Sequence, residues 1–176
     1  VTCKVPEGTG AMDEVVLIRG GNPNFRGNET IFLHYLPPEV YSFSPTLCDT
    51  DGDEVIVSGD NFGNKKELVT VKMGGQELEI KDGTFSHTSF TVIVPPGEGV
   101  PKPINITVDG QTNITSRNHP GVFRYYYPTI FSVNPDSLDT TGGEVELTGE
   151  YFGRFGKAIA SLYDSVTDSH LDDIEV

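Results

Sequence analysis

Tryptophan is absent, cysteine occurs only twice, and 12 lysines and arginines face 26 aspartates and glutamates, a net charge of −14. Two cysteines exclude a disulfide-dense scaffold that dispenses with a hydrophobic core. The acidic balance repels phosphate backbones and anionic membrane surfaces, so no nucleic-acid partner is expected. GNKK at 63–66 is the single short basic cluster. No apolar run approaches the roughly 18 residues of a spanning helix, so this segment does not insert into a membrane. His34, His87, His119 and His170 fall in separate segments without metal-ligand spacing, and neither G-x-S-x-G nor H-E-x-x-H occurs. The glycine pairs Gly20-Gly21 and Gly74-Gly75 join strands and do not open helices, which leaves no phosphate cradle. The chain reads as a non-enzyme with no cofactor. It opens on Val1 with no initiator Met and no leader, as a mature product or a window of a longer chain would.

What the sequence does contain is a period of 90. Residues 38–63, PEVYSFSPTLCDTDGDEVIVSGDNFG, return at 128–153 as PTIFSVNPDSLDTTGGEVELTGEYFG, with 11 identities in 26 ungapped positions. A second match links the start of the chain to its middle: VPEGTG at 5–10 parallels VPPGEG at 94–99, and LHYLPP at 33–38 parallels FRYYYP at 123–128. Such self-similarity marks a repeat architecture. The phase is the surprise. Residues 1–37 read as the C-terminal half of a unit, 38–127 as a complete unit and 128–176 as an N-terminal half. A half sandwich exposes its inner face, so only 38–127 is expected to fold by itself.

Short alternating segments dominate. Val55 and Val57 flank Ile56, and the sister repeat keeps Val145 and Leu147 but places Glu146 at the middle position, so 55 and 57 face inward and 56 outward. The same alternation predicts inward Val69, Val71 and Met73, then Phe90, Val92 and Val94, then Ile104, Ile106 and Val108. Gly-, Pro- and Asp-rich breaks separate these runs and nothing reads as a helix, which predicts an all-β fold of antiparallel sandwiches.

The order P-x-V-x-x-F-x-P at Pro38–Pro45, E-V-I-V-x-G-x-N-F-G at Glu54–Gly63, V-x-M-G-G at Val71–Gly75, V-P-P-G-x-G at Val94–Gly99 and F-x-Y-x-x-P at Phe123–Pro128 resembles an IPT/TIG domain. This immunoglobulin-like module is found in plexins, growth-factor receptors, some transcription factors and surface arrays. The resemblance implies tandem immunoglobulin-like sandwiches in an extracellular or cell-surface setting. Its motifs specify fold and hardly any activity.

Candidate sites are few. Asn28-Glu-Thr, Asn105-Ile-Thr and Asn113-Ile-Thr are N-glycosylation sequons. Asn105 and Thr107 alternate with inward Ile104, Ile106 and Val108 and should face solvent, while Asn28 and Asn113 lie in polar stretches that read as loops. Cys3 and Cys48 align with Val92 and Leu138, so both read as free or core positions, with a Cys3–Cys48 bridge as the alternative. The family often pairs a cysteine at the position of Cys3 with one earlier in its own domain, and no such partner is present. Asp49, Asp51 and Asp53 alternate around Gly52 like a calcium loop. The sister loop at 139–144 keeps only Asp139, which suits a plain β-turn.

Two function classes follow. One is a structural repeat unit of a glycosylated fibre or stalk, its unit completed by head-to-tail self-association or by continuation of the same polypeptide. The other is part of an adhesion or recognition ectodomain that binds another surface protein. A sugar-binding module would need an exposed aromatic platform, for which Tyr126 is the candidate.

Overall fold

A computed structural model of the chain describes residues 2–11, 13–16, 18–21, 27, 31–99, 102–114, 124–154, 159–164 and 169–175. The strands in chain order are β1 (Asp13–Val15), β2 (Ile31–Leu33), β3 (Glu39–Ser44), β4 (Leu47–Cys48), β5 (Asp53–Asp60), β6 (Val69–Met73), β7 (Gln76–Ile80) and β8 (Ser89–Val94). They continue with β9 (Ile104–Val108), β10 (Gln111–Ile114), β11 (Arg124–Tyr125), β12 (Thr129–Asn134), β13 (Glu146–Glu150), β14 (Ile159–Asp164) and β15 (Ser169–Glu175). Among the described residues helical geometry is limited to 3-10 turns at Arg19–Gly21 and Lys66–Leu68. No helix there is long and apolar enough to cross a membrane. Contacts divide the chain into two units, Val1–Thr46 with Glu54–Val94 and Pro101–Phe123, and Leu47–Asp53 with Pro95–Val100 and Arg124–Val176.

The first unit holds a run of seven strands in the order β10-β9-β6-β7-β8-β5-β3. β7 changes partner along its length. It pairs with β6 from Met73↔Gln76 to Val71↔Leu78, then with β8 at Glu79↔Ile93 and Ile80↔Val92. That switch folds the run into two layers with one core between them, the all-β antiparallel sandwich that the alternation predicts. The expected inward residues are buried on every strand named: Val55 and Val57, Val69, Val71 and Met73, Phe90, Val92 and Val94, Ile104, Ile106 and Val108. Ile56 is exposed, as the charged Glu146 of the sister repeat signals. Phe62 meets Phe90 edge-on, with centroids 4.9 Å apart at 70°, an arrangement that the ring quadrupoles favour. Each such side chain contributes about 1.5–3 kcal/mol by leaving water. At the rim, Lys81 holds Glu54 through both carboxylate oxygens at 2.7 Å, and Lys66 pairs with Asp82. The same unit contains the ladder β1–β2, whose Val15, Ile31 and Phe32 are exposed.

In the second unit β4 and β11 pair in parallel, Leu47 with Arg124 and Cys48 with Tyr125. β12–β13 and β14–β15 are antiparallel hairpins. The β12–β13 ladder repeats the β3–β5 ladder residue for residue, 90 positions on. Glu39↔Asp60, Val40↔Gly59, Ser42↔Ser58, Phe43↔Val57 and Ser44↔Ile56 return as Thr129↔Glu150, Ile130↔Gly149, Ser132↔Thr148, Val133↔Leu147 and Asn134↔Glu146. Both ladders carry their irregularity after the second pair. Gly59 and Gly149 occupy matching crowded positions, where a Cβ would strike the Glu39 and Thr129 carbonyl oxygens respectively. The shared pattern of the two segments gives the same register.

Candidate functional site

One strand pair appears in two burial states. In the first unit Val40, Phe43 and Phe62 are at most 4 % exposed, whereas Ile130, Val133 and Phe152, 90 residues later, are 57, 42 and 42 % exposed. Leu138 and Val145 are exposed as well, against buried Cys48 and Val55. The start of the chain shows the same contrast: Val5 is exposed where Val94 is buried. Scattered apolar residues on a surface are ordinary, whereas these share the face that the sister strand pair buries. The exposed apolar residues at 129–152, and separately Val5, Val15, Ile31, Phe32 and Leu36 near the start of the chain, are two candidate surfaces, one in each unit.

A tyrosine corner recurs with the repeat. The Tyr125 hydroxyl donates to the Pro95 carbonyl at 2.8 Å, and the Tyr35 hydroxyl donates to the Pro6 carbonyl at 2.9 Å. Each ring lies flat against a glycine, since a Cβ on Gly97 or Gly8 would come within 2.5 Å of the ring Cζ. In the second unit the corner is continued by two main-chain bonds, from Tyr126 N to Cys48 O and from Gly97 N to Thr50 O, both 2.9 Å. Burial holds the Tyr125 phenol above its ordinary pKa.

Around that corner lie Tyr151 and Arg154, which sequence reasoning missed. Tyr126 stacks on Tyr151, with centroids 4.6 Å apart and planes at 24°. Tyr151 has φ of 62°, as does its counterpart Asn61 at 63°. A left-handed backbone suits asparagine far better than tyrosine, so the stack offsets a local cost. The available signal was the Asn-to-Tyr change between otherwise similar Gly-x-x-Phe-Gly corners. Arg154 Nε donates to Asp51 Oδ1 at 2.6 Å, and the Arg124 guanidinium lies 5.2 Å from the Tyr127 ring centre. Tyr126 therefore presents one face to Tyr151 while the residue stays exposed.

The aspartate loop has structural work. Asp49 Oδ1 accepts the amide of Asp51 at 2.9 Å, and the Gly52 amide donates to the Asp49 carbonyl. Asp139 does the same for Thr141 and Gly142, and those bonds, the Thr141 amide first, lower its pKa. The turn occupies the Asp49 carboxylate, Arg154 engages that of Asp51, and Asp53 also has a partner. Among the described residues no group of three or more His, Cys, Asp or Glu is placed to hold a metal ion.

Cys48 is buried and Cys3 is exposed, and both are free. The core position expected for Cys3 is therefore not realised within this chain, because Cys3 lies outside any strand and nothing covers it. Burial pushes the Cys48 thiol up to about 12. Of the sequons, Asn105 sits on β9 opposite Lys72 and Ile114, on the outward face, yet it is half-buried and its Oδ1 is enclosed without a hydrogen bond. Asn113 corrects the loop expectation. It lies within β10, opposite the buried Ile106, because four mostly polar residues still complete an edge ladder after the Asp109-Gly110 turn. Asn28 and His119 lie outside the described residues, as does the His170 side chain. His34 follows β2 and is exposed, with Nδ1 against the Ala11 carbonyl. A cavity of about 610 Å³ in the first unit is lined by Glu7, His34, Leu36, Asn61, Asn64 and Gln111, among others. Several of these are already committed: Asn61 Nδ2 donates to the Pro37 carbonyl, Gln111 Nε2 to the Tyr35 carbonyl and Asn64 Nδ2 to Glu7.

Among solved structures, the chain is similar to a protein of unknown function from Bacteroides thetaiotaomicron (24 % identity, TM-score 0.43, covering 55 % of this chain and 24 % of that one). It is also similar to the plexin A4 extracellular region (17 %, 0.46, 90 % and 13 %) and to a surface glycan-binding protein from Prevotella bryantii (18 %, 0.45, 80 % and 33 %). The chain spans a third or less of the length of each. The family model described as the IPT/TIG domain matches residues 38–125, half of the chain, across the sandwich strands and the tyrosine corner, and the chain belongs to the IPT/TIG family.

Proposed function

We propose that this chain is a non-enzymatic repeat unit of an extracellular, glycosylated fibre or stalk, assembled head to tail. In this reading residues 1–37 are the C-terminal half of one IPT/TIG domain, 38–127 a complete domain and 128–176 the N-terminal half of another. Residues 1–37 of the following unit complete that last domain, supplied by a second chain or by continuation of the same polypeptide. The observation that carries the reading is the burial contrast: Ile130, Val133 and Phe152 repeat the register of Val40, Phe43 and Phe62 but stand in water. Covering such a face stabilises by roughly 25 cal/mol for each Å² removed from water, and the complementary exposed face stands at the other end of the same chain. A contact between different surfaces that does not close into a ring propagates as a filament. The three sequons at Asn28, Asn105 and Asn113 and the net charge of −14 suit a solvated extracellular surface.

Sedimentation velocity over a concentration series, with negative-stain electron microscopy of the same samples, tests the reading. The expected result is a sedimentation coefficient that keeps rising with concentration, and filaments one sandwich wide. A monodisperse monomer across the series, with both ends folded, overturns it.

A further inference from the structure

We infer that the contact between successive units has a defined strand register, in which residues 34–35 of one copy add as a parallel strand beside residues 137–138 of the preceding copy. The inference rests on the head-to-tail reading and gives it an address. Its template is the β4–β11 pair, where Leu47 faces Arg124 and Cys48 faces Tyr125, locked by the Tyr126 N–Cys48 O and Gly97 N–Thr50 O bonds. Both partners of that template recur in the chain, each without its mate among the described residues. The β4 side recurs 90 residues on as Ser137-Leu138, following a β12–β13 ladder whose register copies β3–β5. The β11 side recurs 90 residues earlier as His34-Tyr35, with its corner already built: the hydroxyl of Tyr35 is on the Pro6 carbonyl and its ring lies against Gly8.

The exposures agree with two halves of one site. Cys48 and Thr50 are buried, whereas Leu138 and Thr140 are exposed. Tyr125 is buried, whereas Tyr35 is half-buried and Leu36 exposed. Superposing the repeats pairs His34 with Ser137 and Tyr35 with Leu138. The Leu36 amide then donates to the Leu138 carbonyl, and the Gly8 amide to the Thr140 carbonyl. The occupant is a second copy of this chain, because the face at 137–140 matches the geometry that a Val-Pro-x-Gly turn and a Tyr corner fill within the complete domain, and residues 5–8 and 34–36 carry both. Main-chain bonds set the affinity of such an added strand, and the Leu138 side chain entering the core sets its register.

The test uses the full chain with Cys3→Ser and paired cysteines at His34→Cys and Ser137→Cys, both exposed positions where folding is not at risk. Neighbouring strands lie about 4.8 Å apart, inside the about 4.4–6.8 Å between Cα atoms that a disulfide spans. Mild oxidation should convert the sample into a ladder of covalent oligomers. The control pair His34→Cys with Thr141→Cys, four residues out of register, should give none above background. If the chain assembles by sedimentation but the 34–137 pair gives no ladder, or the 34–141 pair gives the stronger one, the register is wrong while the head-to-tail reading stands. A chain that neither assembles nor cross-links overturns both.

Discussion

At the scale of single residues, the repeat supplies matched pairs that separate chemistry from environment. Phe62 and Phe152 stand in the same local sequence and register, but one is buried against Phe90 and the other is 42 % exposed. Phe62→Ala should cost about 3–5 kcal/mol, the usual loss for a buried aromatic. Phe152→Ala in the dilute single chain should cost less than about 1 kcal/mol, as surface changes do. Urea unfolding of the two variants checks this, and equal losses would show that the 129–152 face is already covered. Cys48 adds a pH dependence. Burial raises its thiol from about 9 to about 12, so the folded state favours the neutral form. The stability this contributes is whole below the unfolded pKa and declines as pH climbs from about 9 toward 12. The hydrogen bond from the Tyr41 hydroxyl to Asp60 raises that phenol to about 12 as well and acts in the same direction. The urea midpoint should fall across this alkaline range, and Cys48→Ala should flatten the slope while Tyr41 still contributes; an unchanged slope would contradict the assignment.

At the scale of elements, the tyrosine corner ranks two substitutions. Tyr125→Phe removes one hydrogen bond to the Pro95 carbonyl and should cost about 0.5–1.5 kcal/mol. Gly97→Ala keeps that bond but puts a methyl 2.5 Å from the ring Cζ, so the ring must move, and overpacking of this kind costs about 1–3 kcal/mol. Thermal unfolding should therefore place Gly97→Ala below Tyr125→Phe, and the reverse order would mean that the ring packing is loose. The elements also show what a reader of the sequence could see. The inward sides of β5, β6, β8 and β9 were legible because a period of two is directly visible and the sister repeat removed the ambiguity at Ile56. β10 was not, because Gln-Thr-Asn-Ile owes its strand to the β9 edge beside it and not to its own composition. The Tyr126–Tyr151 stack was hidden for a related reason: ring contacts between residues 25 positions apart depend on tertiary geometry that no periodicity encodes.

At the scale of the whole molecule, the glycan part of the proposal can be tested apart from assembly. Asn105 lies on the outward face of β9, and Asn113 lies on the edge strand β10. Peptide mass spectrometry of native material, before and after glycan release, should find both modified, with Asn28 also occupied. Unmodified asparagine at all three would remove the glycoprotein part of the proposal. The shared register of β3–β5 and β12–β13 was legible from residues 38–63 and 128–153 alone. The exposure of Ile130, Val133 and Phe152 was not, because burial depends on what packs against a face and not on its local sequence.

The most direct test of completion fuses two copies of the chain end to end through a short Gly-Ser linker, so that one joint forms within one molecule. Thiol labelling at pH 8 and high dilution then reads Cys3, which is exposed in the single chain, while buried Cys48 with its raised pKa stays silent. If residues 1–37 complete the sandwich begun by 128–176, the Cys3 at the internal joint is protected and the terminal Cys3 reacts at the single-chain rate. Both Cys3 residues reacting at the single-chain rate, in a fusion that is otherwise folded, would contradict it.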